Sequence, residues 1–271
     1  MTGFWARLTT PCIMGVLNVT PDSFSDGGDH LDPAIAIAAG HRMVADGAGI
    51  LDIGGESTRP GSAPTSPEQE RSRILPVIAG LRGAGVPLSV DTRHASTVRA
   101  ALDAGASIVN DVSALRHDPA AAALVAAAGC PVILMHMRGT PATMTRLTDY
   151  GDVAADVAAE LATIVALAKA AGVGEAQIAV DPGIGFAKTG EQNIPLLRGL
   201  GHCAALGFPL VVGVSRKRFI GTLTGATDAK NRDAGSLAAA LFALSRGARI
   251  LRVHDVAATV QAVRVWHALA G

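Results

Sequence analysis

Side chains able to ionise, ligate or hydrogen-bond follow one short apolar run after another. Asn18 closes the first run, Asp52 the second, Asp91 the third, Asn110 and Asp111 the fourth, and His136 the fifth. Asp181 closes the sixth, Ser215, Arg216 and Lys217 the seventh, and Arg252, His254 and Asp255 the eighth. Taken singly, each has a bland explanation: Asp91 could cap a helix, and His136 could be a satisfied core imidazole. The repetition is what that explanation leaves unexplained. Asp91, Asn110 and Asp181 form an acceptor-rich set suited to a heterocycle with several N–H donors. Arg252 and His254 are two residues apart and so point to one side of a strand. Two cationic donors together suit an anion. Asn18 could complete that anion site or offer its amide oxygen to a metal. Lys217, flanked by Arg216 and Arg218, lies between the two sets or belongs to a solvated basic patch.

The elements that must position these residues alternate with regularity. Apolar, β-branched runs occupy 12–19, 50–53, 88–90, 108–109, 132–135, 178–180, 210–214 and 250–253. Ala- and Leu-rich segments of helical period occupy 33–46, 67–82, 95–104, 118–128, 153–171, 194–205, 233–246 and 256–270. Continuous apolar strands fit a parallel sheet covered on its outer face. About eight βα units fit a single α/β (β/α)₈ TIM barrel spanning 1–271. A doubly wound sheet shares the rhythm, but the barrel matches the count and leaves no chain for a second domain. Glycines such as Gly105, Gly129 and Gly247 stand where helices must stop, while Pro33, Pro67 and Asp118 stand where helices should start. In a parallel barrel the C-terminal strand ends share one face, where such folds do their chemistry. Two post-strand loops, 20–30 and 54–67, are long for barrel connections, as functional loops often are.

Composition excludes several classes. Of 271 residues, 49% are hydrophobic and 17% charged, with 23 Lys+Arg against 23 Asp+Glu, the reverse of a disordered chain. A pI near 7.1 gives no global field for a polyanion, so nucleic acid is not an expected partner. No apolar run reaches the length of a membrane span, and the start of the chain reads as a first strand rather than a signal peptide. Cys12, Cys130 and Cys203 are scattered and form neither a disulfide framework nor a zinc pattern, which points to a reducing cytoplasm. There is no P-loop or GxGxxG after a strand, since the Gly183–Gly185 turn has the wrong spacing.

The motifs resemble those of the dihydropteroate synthases, the folate-pathway transferases, over nearly the whole chain. The stretch 13–28 contains Asn18-Val19-Thr20-Pro21-Asp22-Ser23-Phe24-Ser25, and the stretch 52–61 contains Gly54-Gly55-Glu56-Ser57-Thr58-Arg59-Pro60. Shorter matches are Val90-Asp91-Thr92, Asn110-Asp111-Val112, Met135-His136-Met137, Asp181-Pro182-Gly183-Ile184-Gly185-Phe186, Ser215-Arg216-Lys217 and Arg252-Val253-His254-Asp255. The resemblance implies condensation of a 6-hydroxymethyl-7,8-dihydropterin pyrophosphate with 4-aminobenzoate, giving 7,8-dihydropteroate and pyrophosphate, with Mg²⁺, in a cytoplasmic homodimer sensitive to sulfonamides. Asp91, Asn110, Asp181 and Lys217 are then expected to hold the pterin, with Met135 and Val112 packed on its ring. Asn18, Arg252 and His254 are expected to hold the pyrophosphate, Asn18 near Mg²⁺. Phe24, Thr58, Arg59 and Pro60, with Phe186 and Lys217, are expected to form the aminobenzoate pocket. Two departures stand out. Arg218 replaces a common Ser, which leaves open whether a backbone N–H or the guanidinium meets the benzoate carboxylate. Ala187 replaces a frequent Gly.

No attached pyrophosphokinase or aldolase region is evident, so the chain reads as monofunctional. Two alternatives remain at the level of sequence. A pterin-binding methyltransferase barrel would use the same Asp91, Asn110 and Asp181, but the Arg252/His254 pair and the loop at 57–60 favour pyrophosphate chemistry. An inactive paralogue would be expected to have lost loop residues, and none is missing.

Overall fold

The apolar runs form eight parallel strands: β1 (Cys12–Asn18), β2 (Ile50–Gly54), β3 (Leu88–Asp91), β4 (Ile108–Asp111), β5 (Val132–Met135), β6 (Ile178–Asp181), β7 (Val211–Val212) and β8 (Ile250–Val253). The structure is a computed structural model and describes residues 3–20, 32–57 and 64–270. Strand order is β6-β5-β4-β3-β2-β1-β8-β7. An isolated parallel bridge from Val180 to Leu210 joins the two edges, and the Val180 N–H donates to the Pro209 carbonyl at 3.0 Å. The architecture is the (β/α)₈ barrel expected from the rhythm.

Ten α-helices among the described residues surround the sheet: α1 (Pro33–Ala45), α2 (Pro67–Leu81), α3 (Ala95–Ala104), α4 (Ala121–Ala128), α5 (Val153–Ala170), α6 (Asn193–Arg198), α7 (Leu200–Ala204), α8 (Arg218–Thr224), α9 (Asp233–Ser245) and α10 (Val256–Ala270). Local chemistry starts and stops them. Asp32 Oδ1 accepts the Ala34 N–H at 2.9 Å, and Ser66 and Gln69 form a reciprocal capping box ahead of α2. Gly129 ends α4 in the left-handed region at φ 64°.

Three expectations are corrected. The segment 194–205 is two helices, not one: the backbone leaves helical geometry at Gly199 (φ −94°, ψ 16°), a residue of low helix propensity that packs without a side chain against Ala154 of α5. Asp118 does not open its own helix, which begins at Ala121. Its Oδ1 accepts from Ala120 N (3.0 Å), and its Oδ2 reaches across to Ala95 N (2.9 Å), capping α3 from the next loop. The seventh run yields only Val211–Val212 as strand, followed by the unforeseen α8.

The pleat sorts side chains into two cores. One set of alternating positions, among them Ile13, Leu51, Val109, Leu134, Val180 and Leu251, packs outward against the helices. Alternate positions Cys12, Met14, Ile50, Ile108, Ile133, Ala179, Val211 and Ile250 meet inside the barrel, closed below by Trp5. The Trp5 indole N–H donates to the Gln177 carbonyl at 2.7 Å, so its one polar atom is satisfied. The ring interior is therefore filled at its N-terminal end, and only the C-terminal mouth is left to carry polar groups.

Candidate active site

The next inward position on each strand is the functional rung. Two residues beyond Ile50, Ile108, Ile133, Ala179 and Ile250 stand Asp52, Asn110, Met135, Asp181 and Arg252, and β3 adds Asp91. A single cavity at the mouth is lined by Asp91, Asn110, Val112, Met135, Asp181 and Phe186, with Lys217 and Arg252. Gly183, Ile184 and Gly213 complete its wall. Asp181 and Arg252 thus open onto the same space from opposite parts of the chain.

One guanidinium ties two of the carboxylates. Arg252 Nε donates to Asp52 Oδ2 at 2.6 Å, and Arg252 Nη2 donates to Asp91 Oδ2 at 2.7 Å. Asp52 is fully buried, and its Oδ2 also accepts from Asn110 Nδ2 at 2.9 Å. Burial pushes the Asp91 carboxyl up to about 7; Arg252 opposes this, while Asp52, Glu70 and Asp111 add to it. Burial also works against the charge on Arg252, but Asp52 and Asp91 outweigh it and raise its pKa. Asp181 is raised by burial, with the Gly183 N–H (2.7 Å to Oδ1) and Lys217 pulling the other way. Three carboxylates therefore face two cations in a space largely closed to water, where charge acts strongly.

Lys217 is turned into this space. Its ammonium lies 4.3 Å from the centre of the Phe186 ring, a cation–π contact. Burial pushes it down to about 8, against the pull of Asp181. The basic-patch alternative does not hold for its neighbour either. Arg216 is bound in a two-pronged pair to Asp233 at 2.7 and 2.9 Å. Its backbone sits at φ 59°, held by Ser236 Oγ on its N–H (2.9 Å) and by Arg232 Nη1 on its carbonyl (3.1 Å). This left-handed residue is over-determined by its surroundings, and it aims the next residue, Lys217, inward. Arg218 alone of the three is exposed.

Phe186, Val112 and Met135 belong to an apolar cluster with Met137, Met144 and Ala187, giving the cavity one flat hydrocarbon side. Ala187 sits at φ 48°, which gives a physical reason why glycine suits this position. Asn18 and His254 share the inward parity of Met14 and Arg252 on the paired strands β1 and β8, and continue toward the mouth above Arg252. His254 Nδ1 lies 3.0 Å from Ser215 Oγ, which also accepts the His254 backbone N–H at 3.2 Å. Phe24, Thr58, Arg59 and Pro60 lie outside the described residues.

In the sequence Asp52 is one strand end among many, with no role of its own; in the structure it is the hub joining Asn110 to Arg252. Its inward parity with Ile50 is the signal that could have found it. The pairing itself spans 200 residues of chain and leaves no local trace. Arg252 has the same kind of place: two of its nitrogens donate to Asp52 and Asp91, and its side chain lines the cavity.

A family model described as pterin binding enzyme matches residues 14–254. The dihydropteroate synthase of Synechocystis sp. is 48% identical over 266 residues, covering 98% of this chain and 91% of that protein. A solved dihydropteroate synthase of Xanthomonas albilineans with 4-aminobenzoic acid superposes with a TM-score of 0.91 at 48% identity, covering 97% of this chain and 94% of the other. The same organism's enzyme in complex with 7,8-dihydropteroate gives 0.88 at 45% identity, with 97% and 96% covered.

Proposed function

The chain belongs to the pterin-binding enzymes, in the dihydropteroate synthase family, and from that premise we propose how its mouth carries out the condensation. The observation that carries the reading is the shared cavity in which Asp91, Asn110, Asp181 and Lys217 face an apolar side made by Val112, Met135 and Phe186. A flat heterocycle with N–H donors along its edge fits that combination: ring against hydrocarbon, edge against acceptors.

The reaction is a transferase step in which the methylene C–O bond breaks and the pyrophosphate leaves with the electron pair. The positive charge left on the methylene spreads into the dihydropterin ring. Asp91 and Asp181 supply fixed negative charge beside it, a preorganised effect that such sites turn into several kcal/mol. The arylamine nitrogen then forms the new C–N bond and gives up a proton. A nitrogen lone pair attacking a cation needs no strong base, and the described residues that line the cavity include no Ser, Cys or His. Asp181 and Asn110 read the pterin edge, Lys217 and Phe186 cover it, and Arg252, His254 and Asn18 face the departing diphosphate. Through Arg252 the two halves are coupled: the guanidinium that faces the anion is the one that orients Asp91 and Asp52.

Mg²⁺ fits this donor set in one way. Such ions are held through substrate phosphates and one or two protein oxygens. Asn18 has an amide oxygen at the mouth, while no group of three or more His, Cys, Asp or Glu able to hold a metal occurs among the described residues. Asn18 would hold an ion that comes with the diphosphate, and that ion would neutralise charge on the leaving group. The aminobenzoate pocket is assigned to Phe186, Lys217 and Arg218 together with Phe24, Thr58, Arg59 and Pro60. We assign the chain to the cytoplasm as a homodimer; no described helix is long and apolar enough to cross a membrane.

The test is product formation from the dihydropterin pyrophosphate and 4-aminobenzoate, with and without Mg²⁺. Equal amounts of dihydropteroate and pyrophosphate are expected, with less of both when the ion is chelated, and inhibition by sulfonamides in competition with the amine. Pterin binding with no pyrophosphate release would overturn the reading.

A further inference from the structure

A second buried polar cluster lies behind the loop that follows β6, and the chemistry above does not use it. Lys188 is buried, at 8% exposure. Its ammonium donates to the carbonyls of Gly183 (3.0 Å) and Phe186 (2.9 Å) and lies 3.0 Å from His136 Nδ1. Burial pushes the Lys188 amine down to about 7, against the pull of Asp181; as an ammonium it has three donors and no acceptor, so in that form every donor is used and His136 Nδ1 accepts. The ring proton then sits on Nε2, which faces Glu160 Oε2 at 2.9 Å. Glu160 in turn takes Arg138 Nε at 3.0 Å. Burial, and then Lys188, push the His136 imidazole down to about 4, in keeping with this neutral tautomer.

A buried cation is an expensive way to fill a core. Well-packed apolar side chains of similar volume often serve stability as well or better. What the ammonium does that a methyl could not is bind two carbonyls of one turn. That turn has little slack: Gly183 is at φ 66°, and a Cβ there would lie 2.0 Å from the His136 carbonyl oxygen. Tyr150 Oη fixes a third carbonyl, that of Ala187, at 2.9 Å. The same turn supplies Gly183, Ile184 and Phe186 to the cavity wall, and its Gly183 N–H orients Asp181.

We propose that Lys188 is a positioning residue for pterin binding: by holding the Gly183 and Phe186 carbonyls against His136 it sets the Phe186 ring and the Asp181 carboxylate at the spacing the pterin needs. This rests on the pterin reading of the cavity. Its reach is limited to that wall, because Arg252 and His254 stand on β8 and just beyond it, and are held by other partners.

The test uses the full chain as wild type, Lys188→Met and Lys188→Gln, titrated calorimetrically with 6-hydroxymethylpterin and separately with inorganic pyrophosphate, with thermal melting alongside. In Lys188→Met the Kd for the pterin should rise at least about tenfold while that for pyrophosphate stays within about twofold. Lys188→Gln keeps two N–H donors without the charge and should recover part of the loss. If the Met variant does not fold, the Gln variant decides, with pterin weakened at least about threefold and pyrophosphate unchanged. Pterin affinity unchanged in the folded variants overturns the inference, as does weakening of both ligands in proportion to a fall in Tm. A wild type that binds pyrophosphate but no pterin brings down the reading of the cavity and this inference with it. Unaffected variants of a pterin-binding wild type sink the inference alone.

Discussion

The floor and the mouth of the barrel are made from the same strands, two residues apart, and obey opposite rules. On the floor Ile50, Ile108, Ile133, Ala179 and Ile250 meet with polar atoms excluded. One inward position further, Asp52, Asn110, Met135, Asp181 and Arg252 bring charge into a space nearly as buried. The pleat dictates only that both sets point inward. The floor gains stability from apolar burial with no direction to it. The mouth spends stability on directed pairs, and keeps Asp52 Oδ1 buried without a hydrogen-bond partner among the described residues. Such a group is tolerated where fixed charge has a purpose beyond holding the fold together.

The comparison should break most sharply at Arg252. Lost with Arg252→Met, the guanidinium leaves Asp52 and Asp91 buried without their cation, at a cost of about 3–5 kcal/mol, together with most of the activity. Denaturant unfolding checks the first part, and a variant as stable as the wild type would mean the carboxylates are held by something else. Trp5→Ala is the matching change on the floor. It should cost about 3 kcal/mol or more yet leave kcat per folded molecule unchanged, because the indole is walled off from the mouth by the apolar rung. A large fall in kcat there would mean that the two regions are not separable.

A smaller effect sharpens the same contrast through pH. Burial raises the Asp91 carboxyl from an ordinary value of 3.8 to about 7. A carboxyl raised on folding holds its proton more tightly in the folded state. Its stabilising contribution is complete below the unfolded pKa and is lost as pH rises through about 7. Asn cannot titrate, so the difference in Tm between Asp91→Asn and wild type should move in the variant's favour from about pH 5 to about pH 8. A difference independent of pH would mean that Arg252 keeps Asp91 ionised throughout.

Much of this architecture was legible in the sequence, and for definite reasons. Period-two and period-3.6 patterns are local, so the runs at 50–53 or 132–135 and the helices at 95–104 and 256–270 stand nearly where expected. The polar residue after each run is local too, which is why Asp91, Asn110 and Asp181 could be brought to one face before any geometry was known. Pairings across the ring are not local. Arg252 meets Asp52 and Asp91 from opposite ends of the chain, so its engagement by carboxylates had no signature. Nothing nearby in sequence announces the carbonyls that Lys188 binds. The break at Gly199 sits inside a segment whose period continues across it, and the helix after Lys217 is too short to show a period.

The central claim is that the mouth is negative where a carbocation forms and positive where a diphosphate departs. The most direct measurement is kcat for Asp91→Asn, on protein shown by circular dichroism to be folded and at saturating substrates. The account predicts a fall of at least about tenfold, because the amide keeps the shape of the side chain while removing its charge and one of its acceptor oxygens. A kcat close to that of the wild type would contradict it.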